Sequence, residues 1–338
     1  MPDSGPAKFK VTNIPYVGIV CKDVQKTIEA YWNILGVGPW SIFEYGSPEV
    51  ADLKYRGKPG WGRFKVAVAQ TEPIGIELIE PVEGNSIYTD WMDEHGEGLH
   101  HLSIVVEDMD IEGVERELAH QGFPSIQSGH LGPDDYFSYF DMRLPLKTII
   151  KASSNPGGIP KGAATYPEDP KAVSPSRLNI PGFKQIGVAV PDTYETAKNY
   201  WYLLGISPWE IRDWGNHKLF LRTYEGKPSW GKEIIGHAYP GDMELELVQG
   251  FEGPSVYTDW VNEFGGGLHH LKFLCDDLVE TSNILIEQGF PSMQSGYFGD
   301  PDDKAGGFNY IDVPPLHCIM EPVHKPKTLP SEPIARIP

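Results

Sequence analysis

The chain has 338 residues, 40% hydrophobic and 22% charged, the make-up of an ordinary globular protein with room for two hydrophobic cores. A net charge of −19 excludes nucleic acid and anionic membrane surfaces as partners, since both need clustered Lys and Arg. No stretch approaches the ~20 apolar residues of a bilayer span. Met1 to Lys10 lacks the apolar run of a secretory signal, and the three cysteines, Cys21, Cys275 and Cys318, are too few and odd for a disulfide framework. These features point to a cytoplasmic protein.

The 31 prolines and 37 glycines call for many turns, hence a strand-rich chain. In chain order, Tyr55-Arg56-Gly57-Lys58-Pro59-Gly60-Trp61-Gly62 and Gly98-Leu99-His100-His101-Leu102 come first. They return as Tyr224-Glu225-Gly226-Lys227-Pro228-Ser229-Trp230-Gly231 and Gly267-Leu268-His269-His270-Leu271. The offset is constant at 169 (224 − 55 and 270 − 101). That is far beyond the ~20–50 residues of a solenoid or propeller repeat, so two whole domains are expected. We assign 11–152 to the first and 181–325 to the second. Between them 153–180, which opens Ser153-Ser154-Asn155-Pro156-Gly157-Gly158, is expected to be an exposed linker, and 326–338 a Pro-rich tail.

The second copy is the more legible. Phe183–Val190 alternates as a strand, with Gln185, Gly187 and Ala189 on one face and Ile186, Val188 and Val190 on the other. Thr193–Leu204 has helical spacing and stops at Gly205. Strands are expected at Trp209–Trp214, His217–Thr223, Lys232–Tyr239 and Asp242–Val248, then a short helix at Val256–Glu263. A strand at Leu268–Cys275, a helix at Leu278–Gln288 and strands at Phe308–Asp312 and Leu316–Glu321 complete the copy. Two strand–helix–strands units per copy give an α+β class.

This ordering, with Leu-Gly closing the first helix and a Gly-Leu-His-His-Leu strand near the middle, resembles the vicinal oxygen chelate superfamily. That group includes glyoxalase I, methylmalonyl-CoA epimerase, extradiol dioxygenases and bleomycin-resistance proteins. The resemblance covers roughly 13–151 and 180–322. It implies tandem domains of two βαβββ modules each, with curved sheets forming a cup around a divalent metal. It also implies four ligand positions, on the first and last strands of each module, which fall on Gln185, Glu246, His270 and Glu321. This set matches one class of glyoxalase I. The epimerases typically offer His–Gln–His–Glu, and ring-cleaving dioxygenases two His and one Glu.

Strand alternation agrees with these positions. Glu246 opposes the core-like Leu245 and Leu247, His270 opposes Leu271 and Phe273, and Glu321 opposes Met320. Two carboxylates, an imidazole and an amide oxygen suit Zn, Mn, Ni, Co or Fe(II). By the same alternation His269, repeated as His100, lies on the other face and is read as structural. The matching positions of the first copy are Tyr16, Glu77, His101 and Lys151. An ammonium at the fourth position repels a dication, so this copy is expected to be a scaffold with a degenerate site. Pairing modules within the second copy gives a full ligand set, whereas exchanging them between copies does not.

The resemblance implies a metal-dependent lyase or isomerase in which Glu321 or Glu246 moves a proton beside a carbonyl. The alternatives are an extradiol-type dioxygenase and a non-catalytic small-molecule binding protein. The second copy has few cations for an anionic cofactor (Arg212, Arg222 and Lys272), while Trp201, Trp209, Trp214, Trp230 and Tyr239 suit a small, aromatic carbonyl compound. Beyond that substrate, the expected partner is a second copy of the chain in a homodimer.

Overall fold

The computed structural model describes residues 7–107, 109–132, 135–169, 171–215, 218–299, 306–325 and 332–338. The first half runs β1 (Lys10–Val20), α1 (Val24–Leu35), β2 (Trp40–Gly46), β3 (Ala51–Tyr55), β4 (Lys58–Pro59), β5 (Gly62–Ala69), β6 (Gly75–Gly84), α2 (Ile87–His95), β7 (Gly98–Glu107), α3 (Ile111–His120), β8 (Ser125–Gly132), β9 (Asp135–Met142), α4 (Arg143–Leu146) and β10 (Thr148–Ser153). After β11 (Ala164–Tyr166) come β12 (Gln185–Ala189), α5 (Thr193–Leu204), β13 (Trp209–Gly215), β14 (Leu219–Tyr224), β15 (Lys227–Pro228), β16 (Lys232–Ala238) and β17 (Glu244–Glu252). The chain continues through α6 (Val256–Phe264), β18 (Gly267–Leu274), α7 (Leu278–Glu287), β19 (Ser292–Phe298) and β20 (Gly307–Val313). A 3-10 turn at Pro314–Leu316, β21 (Cys318–His324) and β22 (Ala335–Ile337) end it.

Local chemistry sets these bounds. Asp23 and Asp192 cap α1 and α5, accepting from Lys26 N at 3.0 Å and Glu195 N at 2.9 Å. Gly36 and Gly205 end the same helices in the left-handed region, at φ 74° and 65°. Arg56 and Gly57, both with positive φ, turn the β3–β4 hairpin, and Glu225 and Gly226 turn β14–β15 in the same way.

Each half is one eleven-stranded mixed sheet, ordered β11-β2-β5-β6-β1-β7-β10-β9-β8-β3-β4 and β15-β14-β19-β20-β21-β18-β12-β17-β16-β13-β22. The two opening strands of the modules, β12 and β18, run antiparallel at the centre of the second sheet. Each is flanked by the parallel closing strand of its own module, β17 or β21. Strand β14 crosses over to pair with β19 of the other module, which ties both modules of one copy together. The architecture is α+β, with tandem paired modules.

Alternation sorts the residues as expected. Ile186, Val188 and Val190 join a core shared by both halves, whereas Ala189 joins the cluster inside the second cup. The halves dock reciprocally: Tyr31 Oη donates to the Leu316 carbonyl at 3.1 Å, and Tyr200 Oη to the Leu146 carbonyl at 3.0 Å. Among the described residues no helix is long and apolar enough to cross a membrane, and the three cysteines are free thiols.

Several expectations need correction. The 153–180 segment is exposed or half-buried at most of its described positions, as expected, but it is docked onto the first half. Its Ser174 and Ser176 hydroxyls donate to Trp32 and Ile34 carbonyls at the end of α1, at 2.5 and 2.6 Å, and β11 pairs with edge strand β2. Carbonyls left over at a helix end and an open sheet edge both demand partners, and this segment supplies them. In the tail, β22 covers edge strand β13 in the same way, while 326–331 lie outside the described residues. His217, expected to open a strand, also lies outside them, and that strand is β14. Strand β19 has no counterpart in the sequence reading, because of its buried residues Gln294, Gly296 and Phe298 only the last is a large apolar side chain, which leaves no apolar alternation to read. Gln294 Oε1 accepts from Val256 N at 3.2 Å, and the Ser295 and Thr223 hydroxyls meet at 2.7 Å. The expected strand from Leu316 starts at Cys318, since Pro314-Pro315 makes a 3-10 turn that His317 ends with positive φ.

Candidate metal centre

Gln185, Glu246, His270 and Glu321 sit on β12, β17, β18 and β21, four adjacent strands at the middle of the second sheet. All four are buried. His270 Nε2 is the hub: it lies 3.4 Å from Glu246 Oε2, 3.4 Å from Glu321 Oε2 and 3.3 Å from Gln185 Nε2. Gly187 faces His270 across the strand pair, and a Cβ there would stand 1.9 Å from the imidazole. The small residue at this position is therefore a cradle for the ring.

Three oxygens of the quartet, Gln185 Oε1, Glu246 Oε2 and Glu321 Oε2, are buried without a well-formed hydrogen bond. Orphaned buried acceptors are costly, and the two carboxylate oxygens converging on one nitrogen ask for a cation. Electrostatics says the same. Burial by itself would push the His270 imidazole down, but Glu246 and Glu321 hold it up at about 9. Burial would raise the Glu246 carboxyl, yet the His270 contact keeps it below its usual range. Among the described residues no three His, Cys, Asp or Glu side chains are already arrayed as ligands; here the carboxylates lean on the imidazole instead. As a donor set, two carboxylates, one imidazole and one amide fit a divalent ion and neutralise it.

The first half answers the same geometry differently. Lys151 Nζ donates to Glu77 Oε1 at 2.6 Å and Oε2 at 2.7 Å, and His101 Nε2 lies 3.3 Å from Glu77. Burial would raise the Glu77 carboxyl, but Lys151 and His101 outweigh it and hold it down at about 2. Tyr16 is buried with its ring against Gly75 and Gly157. The remaining cavity beside Glu77 and Lys151 is about 20 Å³, room for little more than one water. Aromatic side chains, among them Tyr45, Phe64, Tyr88, Phe137 and Tyr139, fill this cup.

One reading of side-chain direction fails. His269 does not face away from His270, because Gly187 pairs with His270 while Val188 pairs with Leu268, leaving His269 as the extra residue of a bulge. The two Nδ1 atoms lie 3.0 Å apart. The first half has the same bulge and a 2.9 Å His100–His101 contact.

The expected cations are all engaged. Arg222 Nη1 donates to Glu233 at 2.8 Å, Arg212 to Glu210 at 2.5 Å, and Lys272 to Glu244 at 2.7 Å. Of the expected aromatics, Trp214 belongs to the cup cluster; Trp209 is in the shared core, Trp201 packs against it, and Trp230 and Tyr239 are exposed. The sequence reading missed Tyr310, whose ring meets His270 edge-on at 4.9 Å, and the Glu244 carboxylate that joins Lys272 to His237 at 2.8 Å. Cross-strand neighbours of this kind are set by register, and no spacing along the chain signals them.

A larger cleft of about 1230 Å³ lies between the halves, lined by Trp91, His100, Arg143, Trp260 and His269 among others. None of the quartet lines it, and its Arg143 is taken up by Asp141 and Glu94. The orphaned carboxylate oxygens of Glu246 and Glu321 lie in the second cup and not in this cleft, so size is the weaker guide to the chemistry.

The family described as Glyoxalase/Bleomycin resistance protein/Dioxygenase superfamily matches residues 16–140 and 184–306. No curated protein matches the chain in sequence. Among solved structures, a mutant of 4-hydroxymandelate synthase from Streptomyces coelicolor superposes with a TM-score of 0.60 at 12% identity, over 96% of this chain and 95% of that one. The Mn(II)-bound glyoxalase from Novosphingobium aromaticivorans gives 0.51 at 12% identity, over 95% and 84%. At such identity these likenesses concern the fold alone. With both halves matched by the family profile and both sheets built from paired βαβββ modules, the chain belongs to the glyoxalase/bleomycin resistance protein/dioxygenase group, the vicinal oxygen chelate superfamily.

Proposed function

We propose that the second half holds one divalent metal ion on Gln185, Glu246, His270 and Glu321 and catalyses proton transfer next to a carbonyl, as a lyase or isomerase. The observation that carries this reading is the convergence of two unsatisfied buried carboxylate oxygens on His270 Nε2, with the Gln185 amide beside them. When bound, the ion supplies Lewis acidity toward the carbonyl oxygen. The chain's own residues do the rest. Glu321 takes the proton from the adjacent carbon on a carboxylate oxygen and returns it, and Glu246 is the second carboxylate able to do so. Trp214, Phe298, Phe308 and Tyr310 line the interior of the cup and exclude water. With Arg212, Arg222 and Lys272 engaged by carboxylates, a small aromatic carbonyl compound suits this cup better than an anionic thioester or thiol cofactor.

The test is exchange in deuterated water. The metal-loaded protein is incubated with a panel of aryl 2-oxo compounds, hemithioacetals and 2-substituted thioesters. Deuterium should enter at the carbon beside the carbonyl, and Glu321→Gln should lose the exchange. Stoichiometric oxygen uptake with any of these compounds would overturn the reading in favour of a dioxygenase.

A further inference from the structure

We propose that His269 is a positioning residue for this centre: it accepts a hydrogen bond from His270 Nδ1 and so keeps His270 Nε2 as a lone-pair donor toward a divalent cation. The proposal rests on the metal reading above.

A neutral imidazole carries one donor and one acceptor nitrogen. The two Nδ1 atoms, 3.0 Å apart, share one hydrogen, so one ring donates and the other accepts. The far end of His270, which faces Glu246 and Glu321, decides which. The Nε2 of His269 is itself buried with no hydrogen-bond partner among the described residues. With Nε2 of His270 given to the cation, the His270 ring hydrogen sits on Nδ1, so His269 Nδ1 is the acceptor and the His269 hydrogen belongs on Nε2. His270 therefore donates from Nδ1. Its Nε2, facing Glu246, Glu321 and Gln185, is left for the cation.

The ring is fixed in this role. His269 is buried, with the ring edges of Trp260 and Tyr257 at 5.1 and 5.3 Å. The bulge that turns it toward His270 is held open by Gly187, the one strand partner that leaves space for the His270 ring. A ligating histidine needs its second nitrogen anchored to keep tautomer and orientation, and the usual anchor is a carboxylate or carbonyl. Here a second imidazole fills that place. The first half keeps the same pair around His101, which faces the Glu77–Lys151 ion pair and no ligand quartet. His100 is thus a built-in control for the purely structural share of the arrangement.

The experiment combines ring-15N NMR of histidine-labelled protein with Zn(II) titration. In wild type, metal-free and zinc-loaded, the His269 hydrogen should sit on Nε2. His269→Phe should weaken zinc binding roughly 10–100-fold, and His269→Gln, whose side-chain carbonyl can accept from His270 Nδ1, should recover most of the loss. His100→Phe should leave zinc affinity unchanged. A hydrogen on His269 Nδ1, or zinc affinity unaltered in His269→Phe, would overturn this proposal alone. A wild-type protein that takes up no zinc would overturn the metal reading and this role with it.

Discussion

Lys151 Nζ lies within 2.7 Å of both carboxylate oxygens of Glu77, at the register position where the second sheet carries Glu321. Lys151 pairs with Ser103 across β10 and β7, and Glu321 with Lys272 across β21 and β18. One sheet supplies its own cation, and the other gathers a second carboxylate around a histidine. The two halves thus treat the same buried Glu differently: a lysine ammonium pairs with it in one, and an imidazole lies between it and a second carboxylate in the other.

The ion pair should be a strong stability element only as a pair. Lys151→Met strands a buried carboxylate and should cost about 3–5 kcal/mol. The double variant Glu77→Gln/Lys151→Met should recover most of it, since two neutral groups of similar volume replace two buried charges. Urea unfolding of the three proteins reads this directly, and a double variant no better than the single one would refute the pairing.

The same pair sets an acid dependence. Glu77 is held at about 2, below its ordinary 4.5. Its contribution is therefore fully present above the ordinary value and drains away as pH falls from 4.5 toward about 2. The shift corresponds to about 3 kcal/mol. Wild type should lose that much more stability across this window than the Glu77→Gln/Lys151→Met protein, measured by denaturation at each pH. Parallel curves for the two would show that Glu77 is not the titrating group.

Metal content should separate the halves. Purified protein should carry about one divalent ion per chain in a site of this donor set. His270→Ala should strip it, while His101→Ala should leave it bound. Elemental analysis is sufficient, and equal loss from both variants would remove the assignment to the second half.

Gly187 and Gly18 offer a matched test of the cradle. An Ala Cβ at either would stand 1.9 Å from the facing imidazole, His270 or His101. Both substitutions should cost about 1–3 kcal/mol by overpacking. Gly187→Ala alone should also lower metal affinity, because it displaces the hub of the quartet. Calorimetric melting combined with metal titration distinguishes the two effects, and a Gly187→Ala protein with normal affinity would show that the ring has freedom to move.

The sequence by itself determined the duplication, the helix stops at Gly36 and Gly205, and the faces of β12, because local propensity and a two-residue period act within a few residues along the chain. The resemblance to the superfamily singled out the quartet, and the internal repeat exposed the asymmetry between Glu321 and Lys151. Tertiary structure decided what those residues meet. Strand order brings β17, β12, β18 and β21 side by side, so residues as far apart in sequence as Gln185 and Glu321 surround one imidazole. A single bulge turns His269 toward His270, which no alternating pattern predicts, since a bulge inserts one residue into the period and reverses the faces around it. The 153–180 segment and the tail read as solvent-exposed because their composition is that of loops. Their β11 and β22 strands form because an open sheet edge has backbone donors and acceptors to satisfy, a demand that exists only after the sheet has folded.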